Sequence, residues 1–204
     1  MGLFFKSKEQ KNYGEDLPED TLLAFKAADG DENSFETLLR KYERFVSTCV
    51  YPIIGSADDT ADVCQEVFLK VYRSLSSFKG ESSFSTWLYR VAKNCAYDFV
   101  RKKKGENVSL DETDEDGKGL ELPDTDEKNY PEQTALKNER KQLLWTAVSR
   151  LSDEHREIIV LRDINDYTYE QIAQMTGLEP GTVKSRLFRA REALKKQLLK
   201  ENYF

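Results

Sequence analysis

The stretch TYEQIAQMTGLEPGTVKSRL, residues 168–187, carries the signals of two short helices joined by a tight turn. Thr168 and Gln171 have the spacing of a capping box, in which two side chains accept backbone N–H groups at the start of a helix. Gly177 suits the positive φ that often follows a helix, and Pro180 suits the first turn of the next one. We therefore predict a helix-turn-helix here.

The second helix of this motif has an inner and an outer face. Val183 and Leu187 are expected to face inward, with the small Ala173 where the two helices cross. In a helix-turn-helix, the N-terminal end of the second helix reads the major groove of DNA. The alternative is an ordinary helical hairpin. It is disfavoured because the caps, the glycine and the basic outer face all agree with a helix-turn-helix. The candidate DNA-binding residues are Thr182, Lys184, Ser185, Arg186 and Arg189.

Upstream of the motif, apolar side chains recur every three or four positions in three long runs, which predicts amphipathic helices. The runs start at Phe35, Val63 and Phe84. We expect Asn33 to cap the first of these helices and Pro52 to end it.

Further helices follow from the same kind of signal. A short helix is predicted over residues 20–28, and another over residues 136–151. Ser56 and Ser152 are expected to cap the helices that follow them. No segment shows a convincing strand pattern, so the predicted fold class is all-α.

The charge of the chain is unevenly distributed. The 204 residues have a net charge of −6, whereas residues 105–135 alone hold 11 acidic and 2 basic residues. This acidic segment has little apolar periodicity and is predicted to be a flexible linker between two small helical domains. The expected organisation is an N-terminal extension at 1–16, a helical bundle at 17–104, the linker at 105–133 and a helix-turn-helix domain at 134–204.

Several classes of protein are disfavoured by what the sequence lacks. The longest stretch without a charged residue, 45–57, is too short to span a bilayer, and no secretory signal begins the chain, so we expect a cytoplasmic protein. Cys49, Cys64 and Cys95 lack metal-binding spacing and are expected to be buried reduced thiols. His155 has no ligand partner nearby and is interpreted as a surface or capping residue. We expect no metal and no cofactor.

The third long helix has a second, polar face that carries Arg90, Lys93 and Asn94 and ends in a basic run beginning at Arg101. The loop before it, residues 78–84, contains aromatic and small polar residues. Rings that stack on bases, next to cations that pair with phosphates, are typical of single-stranded nucleic-acid sites. A solvated helix face with cations near its C-terminus is the alternative.

Together the two halves resemble the bacterial sigma factors of RNA polymerase, in particular the small extracytoplasmic-function (ECF) group of the sigma-70 family. Residues 58–72 are similar to the region 2 helix that binds the polymerase clamp, and residues 78–94 to the segment that melts the −10 element. Residues 182–191 resemble the region 4 recognition helix for the −35 element. The resemblance covers about residues 17–104 and 134–198.

This resemblance assigns site residues by position. The residues that it implies for binding core polymerase are Asp58, Asp59, Asp62, Gln65, Glu66, Phe68 and Leu69. The residues that it implies for binding the −10 element are Phe78, Lys79, Ser82, Phe84, Trp87, Arg90, Lys93, Asn94 and Arg101.

The resemblance also implies partners. These are core RNA polymerase, promoter DNA as −35 duplex and −10 single strand, and an anti-sigma factor that could hold this chain at the inner face of the membrane. The chain itself is not expected to be a membrane protein or an enzyme, and its acidic linker would enter the polymerase cleft. The sequence leaves two alternatives: a DNA-binding regulator that acts without polymerase, and an enzyme.

Overall fold

The computed structural model describes residues 17–106 and 131–200, and it confirms an all-α fold with no strand in these ranges. The helices are α1 (Glu19–Ala28), α2 (Glu32–Ile54), α3 (Ala57–Ser74), α4 (Phe84–Glu106), α5 (Pro131–Ser149), α6 (Asp153–Ile159), α7 (Tyr169–Thr176) and α8 (Pro180–Lys200). A 3-10 turn (Leu75–Ser77) follows α3, and a π-helical turn (Val160–Ile164) follows α6.

Helices α1 to α4 form an N-terminal bundle around an apolar core. Leu38 of α2, Val67 of α3 and Leu88 of α4 are at most 2% exposed, as their spacing in the sequence predicts. Burial of each such side chain contributes about 1.5–3 kcal/mol. Helix α1 is attached to α2 by the Tyr42 hydroxyl, which donates a hydrogen bond of 2.6 Å to Asp20.

The start of α2 differs from the prediction. Its N-cap is Asp31, which accepts hydrogen bonds from the Asn33 backbone N–H at 3.2 Å and from the Ser34 hydroxyl at 2.6 Å. Asn33 as the cap was therefore wrong, because Asp31 lies where its carboxylate reaches the free N–H groups of the first turn. The prediction for Ser56 is confirmed, since its Oγ accepts a bond of 3.4 Å from the Asp59 N–H.

The end of α2 also differs from the prediction. The helix continues through Pro52 to Ile54, and Gly55, with a φ of 81°, terminates it. A proline removes one helical hydrogen bond. Here Val50, Tyr51 and Pro52 are all buried, and this packing holds the last turn of the helix.

Helices α5 to α8 form a C-terminal domain in which α7 and α8 pack as a helix-turn-helix. Ile172, Met175, Val183 and Leu187 are all at most 4% exposed, so the inward positions expected on α8 are confirmed. Ser152 precedes α6, but its side chain makes no capping hydrogen bond, and that detail of the prediction was wrong. The acidic residues in the first turn of α6 complement the helix dipole instead.

The C-terminal end of α4 and the N-terminal end of α5 extend into the segment that was predicted to be a linker. Helix α4 runs to Glu106 and α5 starts at Pro131, whereas the linker was expected over 105–133. The remaining acidic residues and the N-terminal extension lie outside the described residues.

The two halves of the chain pack against each other, which the sequence did not indicate. The Phe45 and Tyr167 rings lie 5.4 Å apart between centroids, and the Tyr51 and Trp145 rings 5.7 Å apart. The Thr48 hydroxyl lies 3.1 Å from the Asn165 side-chain oxygen. The relative placement of the two domains is thus defined by direct contacts.

The remaining sequence expectations concern thiols, metals and membranes. Cys49 and Cys95 are buried, and Cys64 is half-buried; all three are free thiols. His155 is half-buried near the start of α6, and the described residues contain no cluster of three metal-ligating side chains. None of the described helices is long and apolar enough to cross a membrane.

Candidate nucleic-acid interface

The turn between α7 and α8 contains the capping box and the glycine that were predicted from the sequence. The Gln171 N–H donates to Thr168 Oγ1 at 3.2 Å, and the Thr168 N–H donates to Gln171 Oε1 at 2.8 Å, which completes the capping box. Gly177 has a φ of 75°, a conformation in which a side chain would be strained. These local contacts fix the direction in which α8 leaves the turn.

The outer face of α8 carries exposed donors at its N-terminal end. Lys184, Ser185 and Arg189 are exposed, whereas Thr182 is half-buried. Beside them lies Phe188, which is 70% exposed and which is not among the DNA-binding residues predicted from the sequence. The sequence feature that could have identified it is an apolar residue at a position outside the inward-facing pattern of the helix.

Arg186 differs from the other predicted DNA-binding residues. Its side chain is only 19% exposed, and Nη2 lies 3.3 Å from Glu154 Oε2 of α6. This ion pair holds the guanidinium at the edge of the α8 face, against the rest of the domain.

The polar face of α4 is partly covered by the C-terminal domain. Lys93 Nζ lies 2.6 Å from Glu157 Oε1 of α6, and Arg90 Nη2 donates a hydrogen bond of 2.9 Å to the Gln174 carbonyl of α7. Asn94 of the same helix is exposed. Arg90 remains exposed in this arrangement, and the Lys93 side chain is 35% exposed.

Nearer the end of α4, Arg101 is exposed and forms an ion pair with Asp98 of the same helix. An exposed pair of this kind contributes little to stability, so the guanidinium is free to exchange partners.

The rings of the loop before α4 lie in the core. Phe78 and Phe84 are 5% and 2% exposed, with centroids 5.8 Å apart, and the half-buried Trp87 packs 5.6 Å from Phe78. In this structure, neither phenylalanine offers a ring face on which a base could stack, since both support the loop from beneath. Gly80, with a φ of 74°, lets the loop pass close to the Phe25 ring.

The solvent side of this loop forms a shallow pocket that reaches α7. Its lining residues are Ser77, Phe78, Lys79, Glu81, Ser82, Trp87, Arg90 and Gln174. The structure thus brings together five of the residues predicted for −10 binding, with Phe84 beneath them.

A second surface is an apolar groove between α2 and α3. Gln65, Phe68 and Leu69, three of the residues predicted for polymerase binding, line it. Leu69 is 55% exposed and Tyr72 is 53% exposed, although Tyr72 follows the apolar spacing of the run that starts at Val63. Sequence reasoning missed Phe35, Leu39 and Tyr72 as groove residues because their periodicity is also that of a core.

The acidic residues predicted for polymerase binding lie on α3 but outside the lining of this groove. Asp58, Asp62 and Glu66 are exposed, and Asp59 pairs with Lys103 of α4 at 2.8 Å.

Comparison with known proteins decides the family. The Sigma-70 region 2 model matches residues 38–106 and the Sigma-70, region 4 model matches residues 141–194. The ECF RNA polymerase sigma-E factor of Escherichia coli K12 is 36% identical over 179 residues, which are 86% of this chain and 92% of that protein. The chain belongs to the ECF sigma factors.

A second relative agrees, the ECF RNA polymerase sigma-E factor of Haemophilus influenzae, which is 33% identical over 88% of this chain and 95% of that protein. As an ECF sigma factor, this chain directs promoter-specific initiation of transcription by RNA polymerase.

The fold of this ECF sigma factor is shared with solved structures. CnrH, in complex with the cytosolic domain of CnrY, matches 88% of this chain and 96% of its own chain, with a TM-score of 0.63 and 23% identity. The sigma factor RpoE of Bartonella quintana, in complex with the anti-sigma factor NepR, matches 80% and 96%, with a TM-score of 0.61 and 23% identity.

The electrostatics of the sigma factor's interdomain contact favour neutral tyrosines. Burial, and after it the Glu157 carboxylate, raises the pKa of Tyr89 far above its ordinary value, and the Tyr89 hydroxyl donates a 2.6 Å bond to that carboxylate. Burial and the neighbouring Asp153 raise the pKa of Tyr97 to about 12. Both hydroxyls therefore keep their protons at neutral pH.

Proposed function

We propose that this ECF sigma factor reads its promoter with two separate surfaces, one in each half of the chain. The −35 duplex would lie against the N-terminal end of α8. The observation that carries this proposal is the outer face of α8, where Lys184, Ser185 and Arg189 are exposed on a helix-turn-helix scaffold. Lysine and arginine bind phosphates and guanine edges, and serine adds a shorter hydrogen bond.

Thr182 and Arg186 would complete this −35 surface. Arg186 is paired with Glu154, so its use on DNA requires exchange of a carboxylate for a phosphate or base.

The −10 single strand would bind along α4 and the loop before it. Lys79, Ser82 and Trp87 line one pocket with Arg90, which supports a site where cations and a ring lie together. Lys93, Asn94 and Arg101 would extend this surface along α4. Phe78 and Phe84 would act by supporting the loop, since their rings are buried.

Core polymerase would bind α3 and the adjoining groove. An apolar groove with exposed Leu69 and Tyr72 suits an amphipathic helix of a partner. The acidic residues Asp58, Asp59, Asp62 and Glu66 would add charge complementarity at its rim.

The rest of the assignment follows from the family. The extension at 1–16, region 2 at 17–104, the linker at 105–133 and region 4 at 134–204 are proposed as functional units. The chain would act in the cytoplasm as a specificity subunit, without catalytic residues or cofactors of its own. RpoE of Bartonella quintana binds an anti-sigma factor, and we propose an anti-sigma partner for this chain too.

Run-off transcription tests the proposal directly. Core polymerase would be supplied with this protein on a fragmented library of the source genome, and new start sites preceded by shared −35 and −10 sequences are expected. Specific binding of duplex DNA by the protein alone, without new transcripts, would contradict the proposal and favour the polymerase-independent regulator.

A matched pair of variants assigns the −35 surface. Arg189→Ala is expected to lower transcription about tenfold or more, because a base or phosphate contact contributes about 1–3 kcal/mol. Lys196→Ala is the control, since it removes another exposed cation near the other end of α8. An equal loss in both variants would indicate nonspecific charge and would contradict the assignment.

The anti-sigma partner has its own test. Affinity capture of the chain from unstressed cells is expected to recover a second protein that inhibits the run-off reaction. Full activity of the captured chain without such a partner would contradict this part of the proposal.

A further inference from the structure

The groove between α2 and α3 leaves large apolar side chains in contact with water. It has a volume of about 540 Å³ and is lined mainly by apolar residues. Leu69 and Tyr72 are more than half exposed, and the Tyr72 ring meets the Phe35 ring edge-on, with 5.0 Å between the centroids. A contiguous apolar surface of this kind is typical of a binding site.

The groove is apolar at one end and acidic at the other. Leu69 belongs to the apolar end, in the C-terminal half of α3. In the N-terminal half of α3, the exposed carboxylates of Asp62 and Glu66 each follow a lining residue in sequence, and Glu43 of α2 lines the groove. Arg44 is the single cation in the lining. A segment that fits this groove therefore has bulky apolar side chains next to cations.

The chain itself contains such a segment. Residues 3–11, which lie outside the described ranges, read LFFKSKEQK: three large apolar residues, and after them three lysines and one glutamate. Apolar side chains followed by cations match the groove, in which an apolar surface is followed by carboxylates. Opposite charges across an interface favour encounter and fix the orientation of the partners. We call residues 3–11 the N-terminal segment.

The connection to the N-terminal segment is long enough to reach the groove. At the start of α1, Glu19 Oε2 lies 3.7 Å from Lys41 Nζ of α2. The groove residue Leu39 is two positions from Lys41, which places it on the nearly opposite side of α2, and half the circumference of a helix about 10–12 Å wide is roughly 16–19 Å. Residues 6–16 precede Leu17, and these 11 residues extend to at most about 36–40 Å.

We propose that the N-terminal segment binds the α2/α3 groove of its own chain, with residues 3–5 at the apolar end and the lysines at the acidic end. A connection of this length keeps the segment at about millimolar concentration near the groove, so that modest contacts suffice to hold it.

A consequence for polymerase binding rests on the proposed role of the groove in that interaction. The N-terminal segment and core polymerase would then compete for one surface. The affinity of the free chain for polymerase is reduced by the fraction of molecules in which the groove is open.

Cys64 is a natural reporter of this contact, because its half-buried thiol lies in the groove lining. Alkylation of Cys64 in the full-length chain is measured at one fixed pH by peptide mapping with mass spectrometry, so the other thiols need no substitution. Phe4→Ser/Phe5→Ser removes both rings of the segment. Tyr13→Ser is the control, since it removes a ring between the segment and α1. The double variant is expected to react about fivefold faster or more, and the control at the wild-type rate.

Two results of this experiment would overturn the proposal. The first is an equal Cys64 rate in the wild type and in Phe4→Ser/Phe5→Ser. The second is protection of Cys64 that increases with protein concentration, which would assign the groove to the segment of a second copy.

A peptide of residues 1–11 provides an independent test that does not depend on how the double variant folds by itself. Added at millimolar concentration, the peptide should restore the protection of Cys64 in Phe4→Ser/Phe5→Ser. The same peptide with serine at positions 4 and 5 is the control and should not protect. Absence of protection by the natural peptide would overturn the contact.

Affinity for core polymerase distinguishes failure of this inference from failure of the proposed function. Phe4→Ser/Phe5→Ser should bind polymerase about fivefold more tightly than the wild type, and Tyr13→Ser should bind as the wild type does. If Leu69→Glu loses polymerase binding while Cys64 is unprotected in the wild type, the segment is overturned and the role of the groove stands. If Leu69→Glu keeps polymerase binding while Cys64 is protected, the competition is overturned together with the proposed role of the groove, and the contact of the segment stands.

Discussion

Leu187 and Phe188 are consecutive residues of α8 in opposite environments: the Leu187 side chain is 2% exposed and that of Phe188 is 70% exposed. A helix turns about 100° per residue, so neighbours in the chain can belong to different faces. Leu187 packs between α8 and the rest of region 4, whereas Phe188 lies beside the basic residues of the candidate −35 surface.

Leu187→Ala is expected to lower the free energy of unfolding by about 2–5 kcal/mol, because it leaves a cavity in the region 4 core. Phe188→Ala should change it by no more than about 0.5 kcal/mol, since its side chain is already in water. Urea unfolding followed by circular dichroism measures both. Equal destabilisation by the two variants would contradict the assigned orientation of α8.

Thr168→Ala is expected to destabilise the fold by about 1 kcal/mol, because it removes the side-chain acceptor of the capping box. Ser152→Ala provides the contrast, since Ser152 also stands at an N-cap position but makes no capping bond with its side chain. Its effect should be close to zero in the same unfolding experiment. A larger loss for Ser152→Ala than for Thr168→Ala would show that the caps are misassigned.

Cys64 is expected to react slowly with alkylating reagents at neutral pH. Burial, and after it the Glu43 carboxylate, raises the pKa of the Cys64 thiol to about 11. Only the thiolate reacts, so the rate should rise about tenfold for each pH unit between roughly pH 8 and pH 10. The measurement uses a Cys49→Ser/Cys95→Ser background, with a small free thiol as control. A rate that already levels off at about pH 10, as expected for a thiol with the ordinary pKa of 9.0, would contradict the raised pKa.

Leu69→Glu is expected to weaken binding to core polymerase about tenfold or more, because it puts a charge on the exposed apolar rim of the α2/α3 groove. Its free energy of unfolding should stay within about 0.5 kcal/mol of the wild type, since Leu69 is 55% exposed. Lys26→Gln, an exposed change on α1, controls for the change in net charge, since it also makes the chain more negative by one unit. Retained polymerase binding by Leu69→Glu would remove this groove from the proposed interface.

Much of the site was readable from short stretches of the chain. The capping box of Thr168 and Gln171 and the turn at Gly177 were predicted from spacing, since each depends on contacts within a few residues. The error at Asn33 arose because a nearby residue, Asp31, provides the cap instead. The error at Pro52 arose because burial of the last turn outweighed the low helix propensity of proline.

The accessibility of the candidate-site residues could not be predicted from the sequence. Periodicity could not distinguish Tyr72, which lines an open groove, from a core residue, nor show that Phe78 and Phe84 lie beneath their loop. An apolar side chain has the same spacing on a helix whether its neighbour is the protein's own core or a partner's surface.

The helices, their caps, the helix-turn-helix and the family resemblance were all present in the order of the amino acids, because each depends on residues close together in the chain. The packing of the two halves against each other appeared only in three dimensions. Lys93 and Glu157 are 64 positions apart, and no local preference of either residue specifies the other. Their pairing depends on how two independently formed helical units pack, which is governed by shape and charge complementarity across their surfaces.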